Sequence, residues 1–143
     1  MLQLIYNTYT ERRSIMFQID NMSRTPVYEQ IETQLEKFIL NGVLKAGEQL
    51  PSVRNISVEH SINPRTVLKA YSDLDQRGLI TAVPGRGYFV CENALGVLNA
   101  DNMAKLELLK DTLSEMAMAG VPREEVLKIV DQAFDPNNKR RTD

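Results

Sequence analysis

The sequence has very few residues of the kinds that build disulfide or metal sites. It contains one cysteine, Cys91, and one histidine, His60. A single cysteine excludes a disulfide framework within the chain. One cysteine and one histidine are also too few soft ligands for a structural zinc site. We therefore predict no metal and no cofactor, with Cys91 ending a strand and His60 at the surface or in a turn.

Long apolar segments and a leader sequence are also missing. No apolar run approaches the ~18 residues that a membrane-spanning helix needs. Residues 1–17, MLQLIYNTYTERRSIMF, contain no basic segment followed by a long apolar stretch, so they are not typical of a secretory signal. These absences predict a soluble, cytoplasmic protein without a membrane partner.

The sequence shows no pattern typical of an enzyme. It contains no nucleophile–base constellation, no phosphate-binding loop motif and no cluster of metal ligands. The GRG segment at residues 85–87 is too short to indicate a nucleotide loop. We therefore predict a non-enzymatic protein with no catalytic residue.

The chain lacks the excess of positive charge that is common in nucleic-acid-binding proteins. Its 17 basic and 19 acidic residues give a net charge of −2. The distribution is more informative than the total, because a neutral domain with sorted charges can present one basic face. The acidic residues Glu29, Glu32 and Glu36 come early, and the basic residues Arg54, Arg65, Lys69 and Arg86 come later.

The rest of the composition is that of an ordinary globular protein. Its 143 residues, 43% of them hydrophobic, suit one domain, or a small domain with an appendage. An amphipathic helix is predicted over residues 26–40, with Thr25 as its cap and Pro26 as its first residue. A loop follows as far as Pro51. The buried stripe of this helix consists of Ile31, Leu35, Phe38 and Ile39.

Two short helices joined by a two- or three-residue turn are predicted next. Ser52 caps the first, which ends near His60. Asn63, followed by Pro64, begins the second, which ends at Gly78. This is the arrangement of a helix-turn-helix.

Two short β-prone runs, residues 79–83 and 88–91, follow the second helix. Pro84 and Gly85 lie between them and suit the central positions of a type II turn. The order helix, helix, helix, hairpin predicts a winged helix-turn-helix, in which the hairpin is the wing. Tyr28 and Tyr71 are predicted to pack in its core.

The apolar spacing changes beyond residue 95. One long helix carries a seam with steps of 3, 4 and 3 residues, and a second carries one apolar face. These helices could pack on their own domain. However, the seam is larger than one short partner can cover, which favours pairing with a second subunit. The predicted dimer residues are Leu106, Leu109, Leu113, Met116, Val126, Ile129, Val130 and Phe134.

The predicted fold class is therefore α+β, mainly α, with a winged helix-turn-helix followed by two helices. We divide the chain into an N-terminal arm (1–24), the winged domain (25–92), a helical dimerisation segment (93–135) and a polar, disordered tail (136–143). Met16 begins a more regular stretch, so either it is the natural start or the first 15 residues form a loose arm.

Four segments in this order resemble the DNA-binding domain of GntR-type bacterial regulators. They are PVYEQI (26–31), GVLKAGEQLPSVR (42–54), NPRTVLKAYSDLDQRGLI (63–80) and GRGYFV (85–90). The segment NPRTVLKAY, together with a short two-helix C-terminus, is similar to the YtrA-type subfamily. Only about 50 residues follow the wing, too few for the ligand domains of larger subfamilies.

The resemblance implies a sequence-specific transcription regulator, a repressor that binds a palindromic DNA operator as a homodimer. A small-molecule effector that prefers one arrangement of the dimer could change its affinity for DNA. The alternative from another class is a winged helix that serves only protein–protein interaction. Salt dependence distinguishes the two, because DNA binding weakens steeply as salt rises.

The recognition helix of such a protein places its N-terminal side chains against base edges in the major groove. Asn63, Arg65, Thr66 and Lys69 lie near that end of the second helix of the pair. Many family members have Ser-Arg where this chain has Asn63-Pro64, so Arg65 is predicted to replace the missing arginine. Whether these side chains contact bases or phosphates stays open, and a solvated helix surface is the alternative.

Two further DNA contacts are predicted outside the recognition helix. By resemblance, Arg54 is a principal contact, and a cation at the positive end of a helix dipole does not serve the helix itself. Ser52 is first a cap, and its hydroxyl and the nearby N–H groups could also hold a phosphate. Arg86 and Gly87, at the wing tip, are predicted to enter the minor groove or contact a phosphate.

Overall fold

The computed structural model describes residues 17–137, which form five helices and a two-stranded antiparallel sheet. Predictions that fall on residues 1–16 and 138–143, including the loose arm and most of the tail, lie outside this range. The mainly α winged helix-turn-helix followed by two helices is confirmed. In chain order the elements are α1 (Val27–Leu40), α2 (Val53–His60), α3 (Pro64–Gln76), β1 (Ile80–Val83), β2 (Gly87–Val90), α4 (Ala94–Met118) and α5 (Arg123–Phe134).

Helix α1 begins without the predicted side-chain cap. Pro26 takes the N-cap position, and no side chain accepts a hydrogen bond there, so the role predicted for Thr25 is wrong. Gln30 instead reaches back over the preceding segment, and its Nε2 donates to the carbonyls of Thr25 (2.8 Å) and Asp20 (2.9 Å). These bonds hold the entering chain against α1.

The segment before α1 also supplies a core residue. The side chain of Phe17 is 4% exposed, and its ring meets those of Phe38 and His60 edge-on at centroid distances of 5.9 and 6.0 Å. A domain boundary at residue 25 therefore leaves a core residue outside the domain. One aromatic residue in a polar segment has no periodicity that would have indicated its burial.

Helices α2 and α3 begin as predicted. The Ser52 Oγ accepts a hydrogen bond from the Asn55 amide (3.0 Å), and the Asn63 Oδ1 accepts one from the Arg65 amide (2.9 Å). Between the helices, Ser61 has a left-handed backbone (φ 52°), which allows the tight turn.

The wing is the predicted hairpin with an unpredicted third segment. Gly85 has φ 74° and the Arg86 amide donates to the Val83 carbonyl at 2.9 Å, as a type II turn requires. The loop before α2 also pairs with the sheet, because Gln49 forms an isolated antiparallel bridge with Phe89. The wing is therefore fixed to the start of α2.

Tyr71 of α3 connects these parts at the centre of the core. Its side chain is fully buried, as predicted, and its hydroxyl donates to the Pro51 carbonyl at 2.6 Å. Its ring meets that of Tyr88 on β2 edge-on at 4.9 Å. Burial raises the pKa of Tyr71, so the hydroxyl stays protonated and remains a donor. Tyr28, also predicted to pack in the core, is half-buried and packs against the core.

A charged cluster lies between α1 and α3. The Oε1 atom of Glu32 is buried without a hydrogen-bond partner among the described residues. Burial, followed by hydrogen bonding and repulsion from Asp73, raises the pKa of Glu32 to about 7, although Arg77 and Lys69 oppose the shift. The pKa of Asp73 is lowered, first by its hydrogen bond from Lys69, so Glu32 takes up a proton at a higher pH than Asp73 does.

Helix α4 contacts the winged domain only near its beginning. Ala94 and Leu98 are its buried residues, and α5 has none. No helix in residues 17–137 is long and apolar enough to span a membrane. Within the described chain, no residue of α4 beyond Leu98 and no residue of α5 is buried.

We expect Tyr71→Phe to lower the free energy of unfolding by about 1–2 kcal/mol, since it removes a short buried hydrogen bond. Urea denaturation measures this loss. Tyr28→Phe is the matched control, because its hydroxyl bonds only to the Glu29 carboxylate at an exposed position. Equal effects of the two substitutions would contradict the role of Tyr71.

We expect the stability of the protein to fall as the pH rises from about 4.5 to 7 because of Glu32. In this interval the folded protein holds a proton that the unfolded chain releases, so rising pH favours unfolding. Glu32→Gln should remove this component, about 1 kcal/mol after discounting for solvent screening. Urea denaturation at several pH values tests this. The exposed control Glu59→Gln should retain the wild-type slope, and an unchanged slope in Glu32→Gln would contradict the assignment.

Candidate nucleic-acid interface

The residues predicted to contact DNA lie on three segments that the core joins. Ser52 and Arg54 are at the start of α2, residues 63–66 are at the start of α3, and Arg86 and Gly87 are at the wing tip. Tyr71 connects the three segments, since it bonds to the residue before Ser52, belongs to α3 and packs on β2.

The start of α2 presents an unpaired cation. The side chain of Arg54 is exposed and has no hydrogen-bond or ion-pair partner among residues 17–137. It lies in the first turn, where the helix dipole opposes a positive charge. Ser52 already uses its Oγ as the cap of α2. This end of α2 therefore offers a guanidinium and exposed N–H groups to an anion.

The start of α3 also presents an unpaired cation. The side chain of Arg65 is exposed and unpaired within the described residues, while Thr66 is half-buried. The Oδ1 of Asn63 already accepts the capping hydrogen bond from the Arg65 amide. Arg65 is therefore the side chain at this end that is free to bond to a base edge or a phosphate.

Lys69 differs from the other predicted contacts. Its Nζ lies 2.9 Å from the Asp73 carboxylate and 4.4 Å from the ring centroid of Tyr28. The hydrogen bond from Lys69 to Asp73 is the first cause of its raised pKa. Lys69 must leave these partners before it can contact DNA.

The wing tip is positioned by a residue that the sequence did not indicate. The Gln49 Nε2 donates to the Arg86 carbonyl at 2.7 Å. Gly87 has φ +109°, which side chains rarely adopt, and a Cβ there would lie 3.2 Å from the Gln49 Nε2, so a side chain at this position would be strained and would displace Gln49. The Arg86 guanidinium carbon lies 5.3 Å from the Phe89 ring centroid. A single glutamine in a loop has no pattern that marks this role.

The residues predicted to form a dimer interface are poorly covered in the single chain. On α4, 54% of Leu106 and 49% of Leu109 are exposed, and on α5, 62% of Ile129 and 84% of Phe134. Leu113, Met116 and Val126 are half-buried, and Val130 is 40% exposed. An open groove of about 480 Å³ runs along α4 beside Leu106, Leu109 and Leu113. These helices thus present apolar side chains that the described residues cover only in part.

The described residues form no group of three or more His, Cys, Asp or Glu side chains that could hold a metal ion. Cys91 is half-buried, and burial is the main cause of its raised pKa. The chemistry of the surface at α2, α3 and the wing is therefore that of arginines and backbone N–H groups, which suits a polyanion.

Comparison with known proteins agrees with this arrangement. Residues 27–90 match the family described as bacterial regulatory proteins, gntR family. The HTH-type transcriptional repressor YtrA of Bacillus subtilis (strain 168) is 41% identical over 112 residues, which are 78% of this chain and 86% of that protein.

Two solved structures have the same fold. A transcriptional regulator from Oenococcus oeni matches with a TM-score of 0.60 and 32% identity, over 84% of this chain and 100% of that chain. A GntR family transcriptional regulator from Listeria monocytogenes matches with a TM-score of 0.60 and 28% identity, over 80% of this chain and 98% of that chain. The chain therefore belongs to the GntR family of bacterial regulatory proteins and is of the YtrA type.

Proposed function

We propose that this protein is a cytoplasmic, sequence-specific repressor that binds a palindromic DNA operator as a homodimer. The single observation that carries the proposal is that Arg54 and Arg65, at the N-terminal ends of α2 and α3, are both exposed and unpaired within residues 17–137. A guanidinium fork bonds well to guanine O6 and N7 or to a phosphate. The repressor role is carried over from the name of the YtrA relative.

Each segment would have a separate task on DNA. Arg65, near the N-terminus of the recognition helix α3, reads a base edge in the major groove. Arg54 and the N–H groups beside Ser52 bind the phosphate backbone and set the register. Arg86 at the wing tip lies against the minor groove or its phosphates, with Gly87 allowing close approach of the backbone.

Lys69 contributes to DNA binding only after it exchanges partners. Its ion pair with Asp73 is a single pair between side chains four residues apart on one helix, and such pairs contribute only a few tenths of a kcal/mol, so the pair is separable. Most hydrogen bonds between proteins and DNA go to phosphate and sugar oxygens rather than to base edges. We therefore assign Lys69 a phosphate contact rather than a base contact.

The dimer would form through α4 and α5. Apolar residues occur around much of the circumference of α4, including Met103, Leu106, Leu108 and Leu109, which are each about half exposed or more. A helix that is apolar on several faces is normally surrounded by other helices. Helices from a second copy satisfy this requirement and place the two recognition helices symmetrically for a palindrome.

A small-molecule effector could act on this arrangement. A ligand that binds one geometry of the paired helices more tightly than another would shift the distance between the two α3 helices. Operator affinity would change by no more than the difference in the affinity of the ligand for the two geometries.

We expect Arg54→Ala to weaken operator binding about tenfold to a hundredfold, because each dimer loses two arginine contacts. The operator is first isolated by selecting duplexes from a random pool with the wild-type protein, and binding is measured by fluorescence anisotropy. Log affinity against log salt should also become shallower by about 2.

Arg123→Ala is the matched control, since Arg123 is an exposed arginine in the first turn of α5, far along the chain from the winged domain. It should bind DNA like the wild type. If the Arg54 variant folds and keeps full affinity, the proposed DNA-binding surface is wrong. If selection yields no preferred duplex, a protein-binding winged helix becomes the better account.

We expect Leu109→Glu to convert the dimer into a monomer, because it places a charge in the centre of the apolar seam. Sedimentation equilibrium at micromolar concentration measures the mass. Val43→Glu is the control, as Val43 is 42% exposed, close to the 49% of Leu109, but lies in the loop after α1. A wild-type protein that sediments as a monomer would overturn the proposed homodimer.

A further inference from the structure

Arg77 connects three helices at one point. It is the C-cap residue of the recognition helix α3, and its backbone N–H bonds to the carbonyls of Asp73 and Asp75. Its guanidinium forms an ion pair with Glu36 of α1, and its Nη2 lies 3.2 Å from the Asp101 carboxylate of α4. One side chain thus contacts the elements on both sides of the recognition helix.

These contacts differ from the other ion pairs of the described residues in that they join separate helices. The three remaining pairs within residues 17–137 join side chains of the same helix, three or four residues apart. Only the Arg77 pairs connect different helices in this part of the chain. A planar guanidinium can bond to two carboxylates at once in a fixed geometry, which a lysine does not do.

Asp101 lies at the far end of the α4 face that packs against the winged domain. Ala94, Leu98 and Asp101 follow one another at spacings of four and three, so they share one face of α4. That face lies against the winged domain through the two buried apolar residues, and the contact between Arg77 and Asp101 marks its far end. No α4 residue beyond Asp101 is buried.

The rest of α4 extends from this point as a rod. Residues 102–118 have a length of about 25 Å at 1.5 Å per residue. A tilt of about 10° at Asp101 would move the far end by about 4 Å, which is comparable to the ~3.4 Å rise of one base pair. In the proposed dimer, a small change at the junction would therefore alter the distance between the two recognition helices by about one base-pair step.

We infer that Arg77 is a positioning residue that fixes the angle between α4 and the recognition helix, and so determines which half-site spacing the dimer accepts. The inference rests on the proposed function, because it requires DNA binding by a dimer. Arg77 itself contacts no base. It acts through Asp101 on one side and Glu36 on the other.

The test uses the full chain and the duplex selected with the wild-type protein, together with versions that have one or two base pairs inserted or deleted between the half-sites. Asp101→Asn removes the charge on the α4 side and leaves the pair with Glu36 intact. Arg77→Lys keeps the positive charge but loses the fork. Glu125→Gln is the control, because its 2.9 Å ion pair with Lys128 lies entirely within α5.

The measured quantity is the ratio of affinities for the selected spacing and for spacings changed by one base pair. We expect this ratio to fall about three- to tenfold in both Asp101→Asn and Arg77→Lys, since the dimer loses two such contacts. Combining the two substitutions should produce little further loss, because both act on one contact. Glu125→Gln should retain the wild-type ratio.

A wild-type ratio in both junction variants would overturn the inference while leaving the proposed function standing. A purely structural role predicts another pattern, in which affinity falls equally for all spacings and the ratio does not change, and this also overturns it. If the wild-type protein shows no preference among spacings, the palindromic dimer itself is wrong, and the role of Arg77 is refuted with it.

Discussion

The hydrogen bond from the Tyr71 hydroxyl to the Pro51 carbonyl is the constraint on which the rest of the surface depends. It fixes the recognition helix to the residue before the α2 cap, and the same ring packs against Tyr88 in the wing. The three segments that carry Ser52, Arg65 and Arg86 are short, and each alone buries too little surface to hold a fixed position. A buried tyrosine with its donor satisfied joins them into one rigid unit without placing a charge in the core. Gln49 extends this unit to the wing tip.

Four cations of the helix-turn-helix region differ in how they are paired. Arg54 and Arg65 are exposed and unpaired within the described residues, which leaves them available to a polyanion. Arg77 is engaged with carboxylates on two other helices, whereas Lys69 pairs only with Asp73 of its own helix. The net charge of −2 does not indicate that exposed, unpaired arginines are present. Local pairing decides which positive charges remain available to a ligand. It therefore distinguishes the arginines that would bind DNA from the arginine that connects the helices.

The sequence predicted the parts that depend on local chemistry. Ser52, Asn63 and Pro64 mark helix starts through caps, and Pro84-Gly85 marks a type II turn, so these elements appeared where expected. Contacts between distant residues were not predictable. Phe17 and Gln49 have no periodicity, and the pairing of Arg77 with Asp101 joins residues 24 positions apart. Thr25 fits a cap by type, but Gln30 holds the chain in its place. The DNA contacts and the dimer seam remain predictions, which follow from exposure and from the family.

The most direct test of the account is backbone amide NMR of the full protein titrated with its selected palindromic duplex. If the unit organised by Tyr71 binds DNA, the largest shift changes will cluster in residues 52–55, 63–66 and 85–87. Amides of α5 will change little, because a dimer formed before binding keeps its helix contacts. Changes confined to α4 and α5, or spread evenly over the molecule, would contradict the central claim that these three segments form the DNA-binding surface.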